Sequence, residues 1–489
     1  MMAKKVTVDP ITRLEGHGKI EIFLDDTGNV EHAYLVIPEF RGFEKFSVGR
    51  KVEDMPWITP RLCGVCPTAH HMVSAKACDD VYKVTPPVPA IKIRRLFYNM
   101  FIFEDHLIHF YYLGGPDFVV GPTAPKAERN ILGVIGKVGL EVAGQLIAMR
   151  KEVRQLMEDM GGRVIHPVFA IPGGITKPLD KDIVERLKVM AEHAVPFAEF
   201  TIKVFHDIVL GNKDYVDIIL NGPYYSVTNH MGLVDENNKV EFYDGPVRVV
   251  DTKGKELYKF QHADYLDYIG EHVEPWTWMK FPFLKKIGWK GFVDGEGTSL
   301  YRVAPLARLN ASDGMRTPKA QEEYEKMNET LGGKPVQHSL AFHWARVIEV
   351  MQAAEEMQQL ANDPDILDPN VRTIPTETPS EGIGFIEAPR GTLIHHYKTD
   401  ANGIVEDANL IVATAHNEAV IAMEIDKAAK ALIKDGKVDD GLLNMVEMAF
   451  RPYDPCHACA THSLPGEMPL IITLKRSSTG EVIDVIQRD

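Results

Sequence analysis

The chain has 489 residues, of which 45% are hydrophobic and 25% charged, an ordinary globular mixture that excludes disorder, collagen and fibrous repeats. Its formal net charge is −15, and no block of lysine and arginine stands ready to neutralise a run of phosphates, which excludes nucleic acid as an expected partner. Apolar runs such as 96–103 and 410–415 fall far short of the roughly 20 residues of a membrane helix, and the amino terminus has no apolar signal-peptide core, so the expected location is the cytoplasm.

In chain order, strand-like alternation through Val6, Val8, Ile20, Ile22, Tyr34 and Val36, around a turn signal at 25–29, predicts a small antiparallel sheet. Apolar residues then recur at three- and four-residue spacing over 90–113, 127–160 and 181–209, the pattern of long amphipathic helices. Residues 211–298, richer in glycine, aromatic and charged residues, read as an insertion on this helical body, with a hairpin around 240–250. Helix is expected again over 317–360, interrupted at Gly332-Gly333-Lys334-Pro335. The stretch 364–389 reads as a proline-containing loop, 391–412 as strands, and 470–474 with 482–486 as a terminal hairpin. The expected fold is α+β and predominantly α, with long central helices and small sheets near the termini. No repeat of fixed period suggests a solenoid.

Five cysteines in so long a chain make no disulfide framework. Four of them form two C-x-x-C pairs, Cys63/Cys66 and Cys456/Cys459, with Cys78 left over as an ordinary buried residue. Pro67 follows the first pair at the start of a predicted helix, and Gly64 permits a tight turn, so the pair sits where partial positive charge favours thiolate. In the second pair Asp454 reads as a cap and Pro455 as the first helical residue, with Cys456, Cys459 and His462 on one face. Facing each other, the pairs would present four thiolates to a soft metal. A structural zinc site or simple iron-sulfur centre is the plain alternative. Structural modules usually close short loops, however, whereas these pairs join the two ends of the chain.

At these residues the sequence resembles the large, catalytic subunit of nickel-iron hydrogenases. The resemblance is carried by the DPITRLEGH run at 9–17, the FRGFE block at 40–44 and RLCGVCPTAHH at 61–71. It continues through Asp105-His106 with His109, GGRVIHP at 161–167, EAPRG at 387–391 and DPCHACATH at 454–462. Within the family, 40–49 and the first cysteine loop are most similar to the cytoplasmic methyl-viologen-reducing and bidirectional enzymes. One segment departs: Ala413-Thr414-Ala415-His416-Asn417 stands where a Pro-Thr-Thr-Trp-Asn type run is common.

The resemblance implies nickel held by Cys63, Cys66, Cys456 and Cys459, with Cys66 and Cys459 bridging to an iron that carries cyanide and carbon monoxide. It places Pro389, Arg390 and Thr414 around that cofactor. It also implies that Cys456 accepts a proton and Glu15 carries it outward, that Arg390 assists heterolysis of H2, that Asp105 and Asp454 hold Arg390, and that His70 donates toward a cysteine sulfur. Glu44, the Leu410 carbonyl and His462 match a magnesium site, and 463–489 match an extension removed by a maturation endopeptidase, leaving one domain over 1–462. Each residue has a plainer reading when taken alone: Glu15 a salt bridge to neighbouring Arg13, Arg390 a solvated loop arginine, Asp105 a paired helical residue, Asp454 a cap, His70 a core histidine, Glu44 a surface charge. With four cysteines committed, Cys78 cannot hold an iron-sulfur cluster. An iron-sulfur small subunit is therefore required, and further electron-transfer subunits are expected. A hydrogen sensor of the same family, the related quinone-site subunit of complex I and a four-cysteine zinc protein are the competing readings.

Overall fold

The structure is a computed structural model that describes residues 4–8, 11–39, 42–460, 470–475 and 482–488. Its opening is the expected antiparallel sheet, β1 (Lys4–Val8), β2 (Lys19–Leu24) and β3 (Val30–Val36), in that order. On β2, Ile20, Ile22 and Leu24 are buried while their sequence neighbours are half-buried, as period-two alternation requires. Helix α1 (Pro67–Val81) follows the first cysteine pair, with Pro67 in the first turn.

The long helices stand where the periodicity puts them, with differences at their ends. Helix α2 (Val88–Ile108) runs into a π turn over His109–Gly114. The stretch read as one helix over 127–160 is two, α3 (Ile131–Val138) and α4 (Leu140–Gly161), parted at Gly139, whose φ of 91° no helix accommodates. Helix α5 (Lys181–Phe205) closes the set, with Asp180 accepting from the Ile183 amide as its cap. Among the described residues no single helix is long and apolar enough to cross a membrane.

Residues 229–302 contain a four-stranded sheet, three strands of which lie in the segment read as an insertion, so sheets are not confined to the termini. Strands β4 (Asn229–Leu233), β5 (Val247–Val250) and β6 (Glu256–Phe260) are antiparallel neighbours, and β7 (Tyr301–Arg302) joins β4 in parallel. The hairpin expected around 240–250 is displaced: Val247–Val250 is an inner strand, and its turn to β6 lies over 251–255. Helices α6 (Pro305–Ala311) and α7 (Pro318–Thr330) lead to α8 (Phe342–Ala361), which packs on α2, α5 and α7. A helix enclosed on every side must pair its polar groups internally. Accordingly Arg346, Glu349, Gln352, Glu355 and Glu356 of α8 are all buried.

The stretch 364–389 is not wholly loop. Its last part is strand β8 (Glu381–Ala388), the edge of a sheet with β9 (Gly391–Thr399) and β10 (Val405–Ile411), after which comes α9 (Glu418–Leu432). Two glycines hid the strand from the pattern, and packing explains them. A Cβ on Gly384 would lie 2.2 Å from the Val73 carbonyl oxygen and 2.7 Å from the Ala77 nitrogen, both backbone atoms of α1. The bare backbone of β8 lets the helix behind the first cysteine pair lie against the sheet. Gly384→Ala is expected to cost about 1–3 kcal/mol of stability, read as a lower denaturation midpoint. The terminal hairpin forms as β11 (Leu470–Lys475) paired antiparallel with β12 (Val482–Arg488).

Candidate metal centre

Cys63 ends a short helical turn and Cys66 caps α1. The Cys63 sulfur accepts from the Val65 and Cys66 amides at 3.2 and 3.1 Å, an amide pocket that favours thiolate. The intervening Gly64 is outside the left-handed region and a Cβ there would meet nothing, so the turn does not depend on it as expected.

The second pair is built differently from its sequence reading. Its helix, α10, is only His457–Ala460, and Asp454 is a left-handed residue (φ 56°, ψ 53°) that ends the turn over 451–453 rather than capping the start of α10. What holds this segment is the other end of the chain. Glu15 and Cys456 form an isolated parallel bridge, with Glu15 N–H donating to the Pro455 carbonyl and His457 N–H to the Glu15 carbonyl. The Cys456 amide donates to Thr414 Oγ1 at 3.0 Å. These contacts bring the pairs together: Sγ–Sγ distances are 3.0 Å for Cys63–Cys456, 2.9 Å for Cys456–Cys459 and 3.8 Å for Cys66–Cys459. All four sulfurs are buried and lie within 4.8 Å of one another. Cys78 lies apart, its sulfur donating to the Val52 carbonyl at 3.2 Å.

Burial opposes ionisation of every thiol in this cluster. At Cys63, hydrogen bonds from Cys456, Cys459 and Cys66 and the Arg390 charge outweigh it and hold the thiol well below its ordinary value. Burial instead pushes Cys456 and Cys459 well up. One thiolate thus shares the protons of its neighbours, an arrangement that a soft cation replacing those protons would stabilise. The donor set fits a thiolate-bound metal.

Four ionisable groups surround the sulfurs. Arg390, 2% exposed, reaches Asp105 Oδ1 at 3.2 Å through Nη1 and Asp454 Oδ2 at 2.8 Å through Nη2, so it is neither solvated nor alone. Burial pushes both carboxyls up while the Arg390 charge opposes it. Glu15 Oε2 accepts from Cys456 Sγ at 2.8 Å and from the Ala458 amide at 3.2 Å. Its carboxyl is pushed up by burial, with the Cys63 charge adding to the effect. The plainer alternative for Glu15, a salt bridge to Arg13, does not form, because Arg13 turns to Asp117 at 2.5 Å and Asn444 at 2.7 Å.

Other sequence-singled residues lie close by. His70, fully buried, pairs through Nδ1 with His395 Nε2 at 3.1 Å, and a chain continues through Tyr397 Oη to Ser74 Oγ. Pro389 is buried beside Arg390. Glu44 Oε1 accepts from the Leu410 amide at 2.7 Å, which fixes that carboxylate on β10; His462 lies outside the described residues. Sequence reasoning missed His395, although its two-residue spacing from Tyr397 on a strand puts both on one face. It also missed Arg346 on α8, buried and donating to the Pro452 carbonyl at 3.0 Å, where burial pulls its guanidinium down to about 10 against the Asp454 charge.

A family profile described as nickel-dependent hydrogenase matches residues 41–132 and 226–462, and one described as HoxL-like matches 5–40. The chain belongs to the nickel-dependent hydrogenase family. It is 50% identical over 485 residues to an F420-non-reducing hydrogenase iron-sulfur subunit of Archaeoglobus profundus, with 99% of each chain covered. It is 35% identical over 502 residues to the NAD-reducing hydrogenase HoxS subunit beta of Cupriavidus necator, again with 99% of each covered. Among solved structures, an NAD+-reducing [NiFe]-hydrogenase in the H2-reduced state superposes with a TM-score of 0.87 at 37% identity, covering 94% of this chain and 100% of that one. The hydrogenase chain described here is therefore a catalytic large subunit with the α+β fold of its family, an oxidoreductase acting on H2 through nickel and iron. Its likeness to the methyl-viologen-reducing and bidirectional groups holds.

Proposed function

We propose that Cys63, Cys66, Cys456 and Cys459 hold the nickel of this hydrogenase, with Cys66 and Cys459 shared by an iron bearing cyanide and carbon monoxide. The convergence of four buried thiols from the two ends of the chain carries this reading. When bound, the centre supplies an open position at which H2 splits into proton and hydride. Cys456 takes the proton and Glu15, bonded to its sulfur, receives it. Arg390, with a permanent charge fixed by two carboxylates, would assist heterolysis at the centre, and Pro389 and Thr414 would contribute to its surroundings. Asp105 and Asp454 hold Arg390, and His70 tunes a cysteine sulfur. Glu44, the Leu410 carbonyl and His462 hold magnesium, whose preference for oxygen ligands suits two of these three.

Electrons leave to an iron-sulfur small subunit, since this chain has one cysteine outside the centre, and further electron-transfer subunits deliver them to the final acceptor. Residues 463–489 form an extension beyond a single domain of 1–462, removed by a maturation endopeptidase, and the enzyme works in the cytoplasm. The test is elemental analysis and infrared spectroscopy of the matured complex. About one nickel per chain, with cyanide and carbonyl stretching bands, is expected. Zinc without nickel and no such bands would overturn the reading in favour of a structural thiolate site.

A further inference from the structure

A proton delivered to Glu15 is still inside the protein, and the geometry around Gly16 points to where it goes. Gly16 adopts φ +88°, and its bare backbone lets its neighbours close in: a Cβ there would stand 2.8 Å from Glu39 Oε2 and 2.6 Å from the Ala458 nitrogen. That nitrogen is the one that donates to Glu15 Oε2 at 3.2 Å. The Glu15 and Glu39 carboxylates therefore approach the same Ala458 amide, near enough that the Glu39 charge acts on Glu15, a span of roughly one or two water molecules. Glu39 Oε2 is buried and makes no protein hydrogen bond among the described residues, which leaves it available to a bridging water. The other oxygen, Oε1, meets His17 Nδ1 at 2.5 Å, and the His17 side chain is 77% exposed. Thiol, carboxyl, carboxyl and imidazole thus succeed one another from the buried sulfurs to the surface, all but the thiol carried by two segments, 15–17 and Glu39.

We propose that Glu39 and His17 carry the proton from the Glu15 carboxyl to solvent past the bare backbone of Gly16. The proposal rests on the reading of Glu15 given above. In each turnover one proton passes from Glu15 through bridging water to Glu39 Oε2, Glu39 gives one from Oε1 to His17 Nδ1, and the imidazole releases one to bulk water from its other nitrogen. No net charge accumulates; before the next turnover the Glu39 carboxyl rotates and the exposed His17 imidazole exchanges its tautomer through solvent, which restores both groups. A plain surface ion pair accounts for Glu39 Oε1 and His17 but not for the second oxygen buried toward Gly16.

The test uses the matured complex with Glu39→Gln, Glu39→Asp, His17→Gln and Glu15→Gln, measuring H2-dependent dye reduction, exchange of H2 with D2O, and the infrared bands of the centre. Glu39→Gln should lower turnover and exchange at least tenfold with unchanged bands, and Glu39→Asp should restore most of it. His17→Gln should lose less and regain activity with added imidazole. Wild-type rates in Glu39→Gln alongside an inactive Glu15→Gln would overturn the proposal and leave the Glu15 reading standing. Altered bands in Glu39→Gln that Glu39→Asp does not repair would also overturn it, as a structural role. A fully active Glu15→Gln would instead sink the Glu15 reading on which the proposal depends.

Discussion

Arg390→Lys is expected to lower H2-dependent dye reduction by about 100-fold or more while nickel content and the infrared bands stay at wild-type levels. The reason is geometric. The guanidinium spans two carboxylates at once, Asp105 through Nη1 and Asp454 through Nη2, and that double grip fixes a planar charge in one orientation. The loop beneath it is held as well, since Asn417 Nδ2 donates to the Arg390 carbonyl. A lysine ammonium is a point charge on a flexible stem and cannot satisfy both carboxylates from one place. It would settle on one of them and withdraw from the sulfurs. Lysine is the informative substitution because it keeps the positive charge among buried acids, whereas an uncharged residue would also leave two carboxylates without a counter-ion and confuse folding with chemistry. Wild-type turnover in the lysine variant would mean that charge alone, and not the fork, serves the reaction.

How much of this could be read beforehand depends on how local the cause is. The two C-x-x-C pairs, the helices over 90–113 and 181–209 and the opening sheet are legible because spacing within a few residues specifies them. Strand β8 was not legible, because its Gly382 and Gly384 mimic a loop until the helix pressed against them is known. Asp454 follows the same rule. In sequence it precedes a proline and reads as a cap; in space its left-handed backbone aims the carboxylate at a residue 64 positions earlier, and strain of that kind is stored where other contacts dictate it. The Glu15 neighbourhood shows where the plainer alternative fails. Adjacency in sequence suggested a bond to Arg13, but Arg13 has its own left-handed turn and finds Asp117 and Asn444 instead, freeing Glu15 for Cys456. Arg346 and His395 carry no signal on their own, since a buried charge or histidine announces itself only through partners supplied by other elements.

The largest expected effect on stability lies outside the sulfur cluster. Arg308 on α6 is fully buried and bonds three ways: Nε and Nη2 to the two oxygens of Glu349 at 2.7 and 2.6 Å, and Nη1 to Glu387 Oε2 at 2.7 Å and to the Ala388 carbonyl. All three charged side chains are 0% exposed. Glu349 also meets His106, and Glu387 takes the Leu233 amide and the Thr392 hydroxyl, so α2, α6, α8, β4 and the strands flanking Pro389 and Arg390 converge on one guanidinium. Arg308→Met should therefore lower the unfolding free energy by about 3–5 kcal/mol, because the two carboxylates would remain buried without a counter-charge. The sign of the pH dependence follows. In the native chain burial raises Glu349, but the Arg308 charge and hydrogen bonds more than offset it and hold that carboxyl below its ordinary range, a contribution present at neutral pH and lost on acidification. In the variant only the hydrogen bonds from His106, Thr392 and the Leu233 amide oppose burial, which already raises Glu387 in the native chain; the folded carboxyls then bind protons more tightly than the unfolded ones, and stability falls as pH rises. Denaturant titrations at pH 5 and pH 8 should thus show a larger deficit at pH 8, and adding Glu349→Gln and Glu387→Gln to the variant should recover part of it. An equal deficit at both pH values would mean that lost packing of the arginine stem, rather than stranded charge, sets the cost.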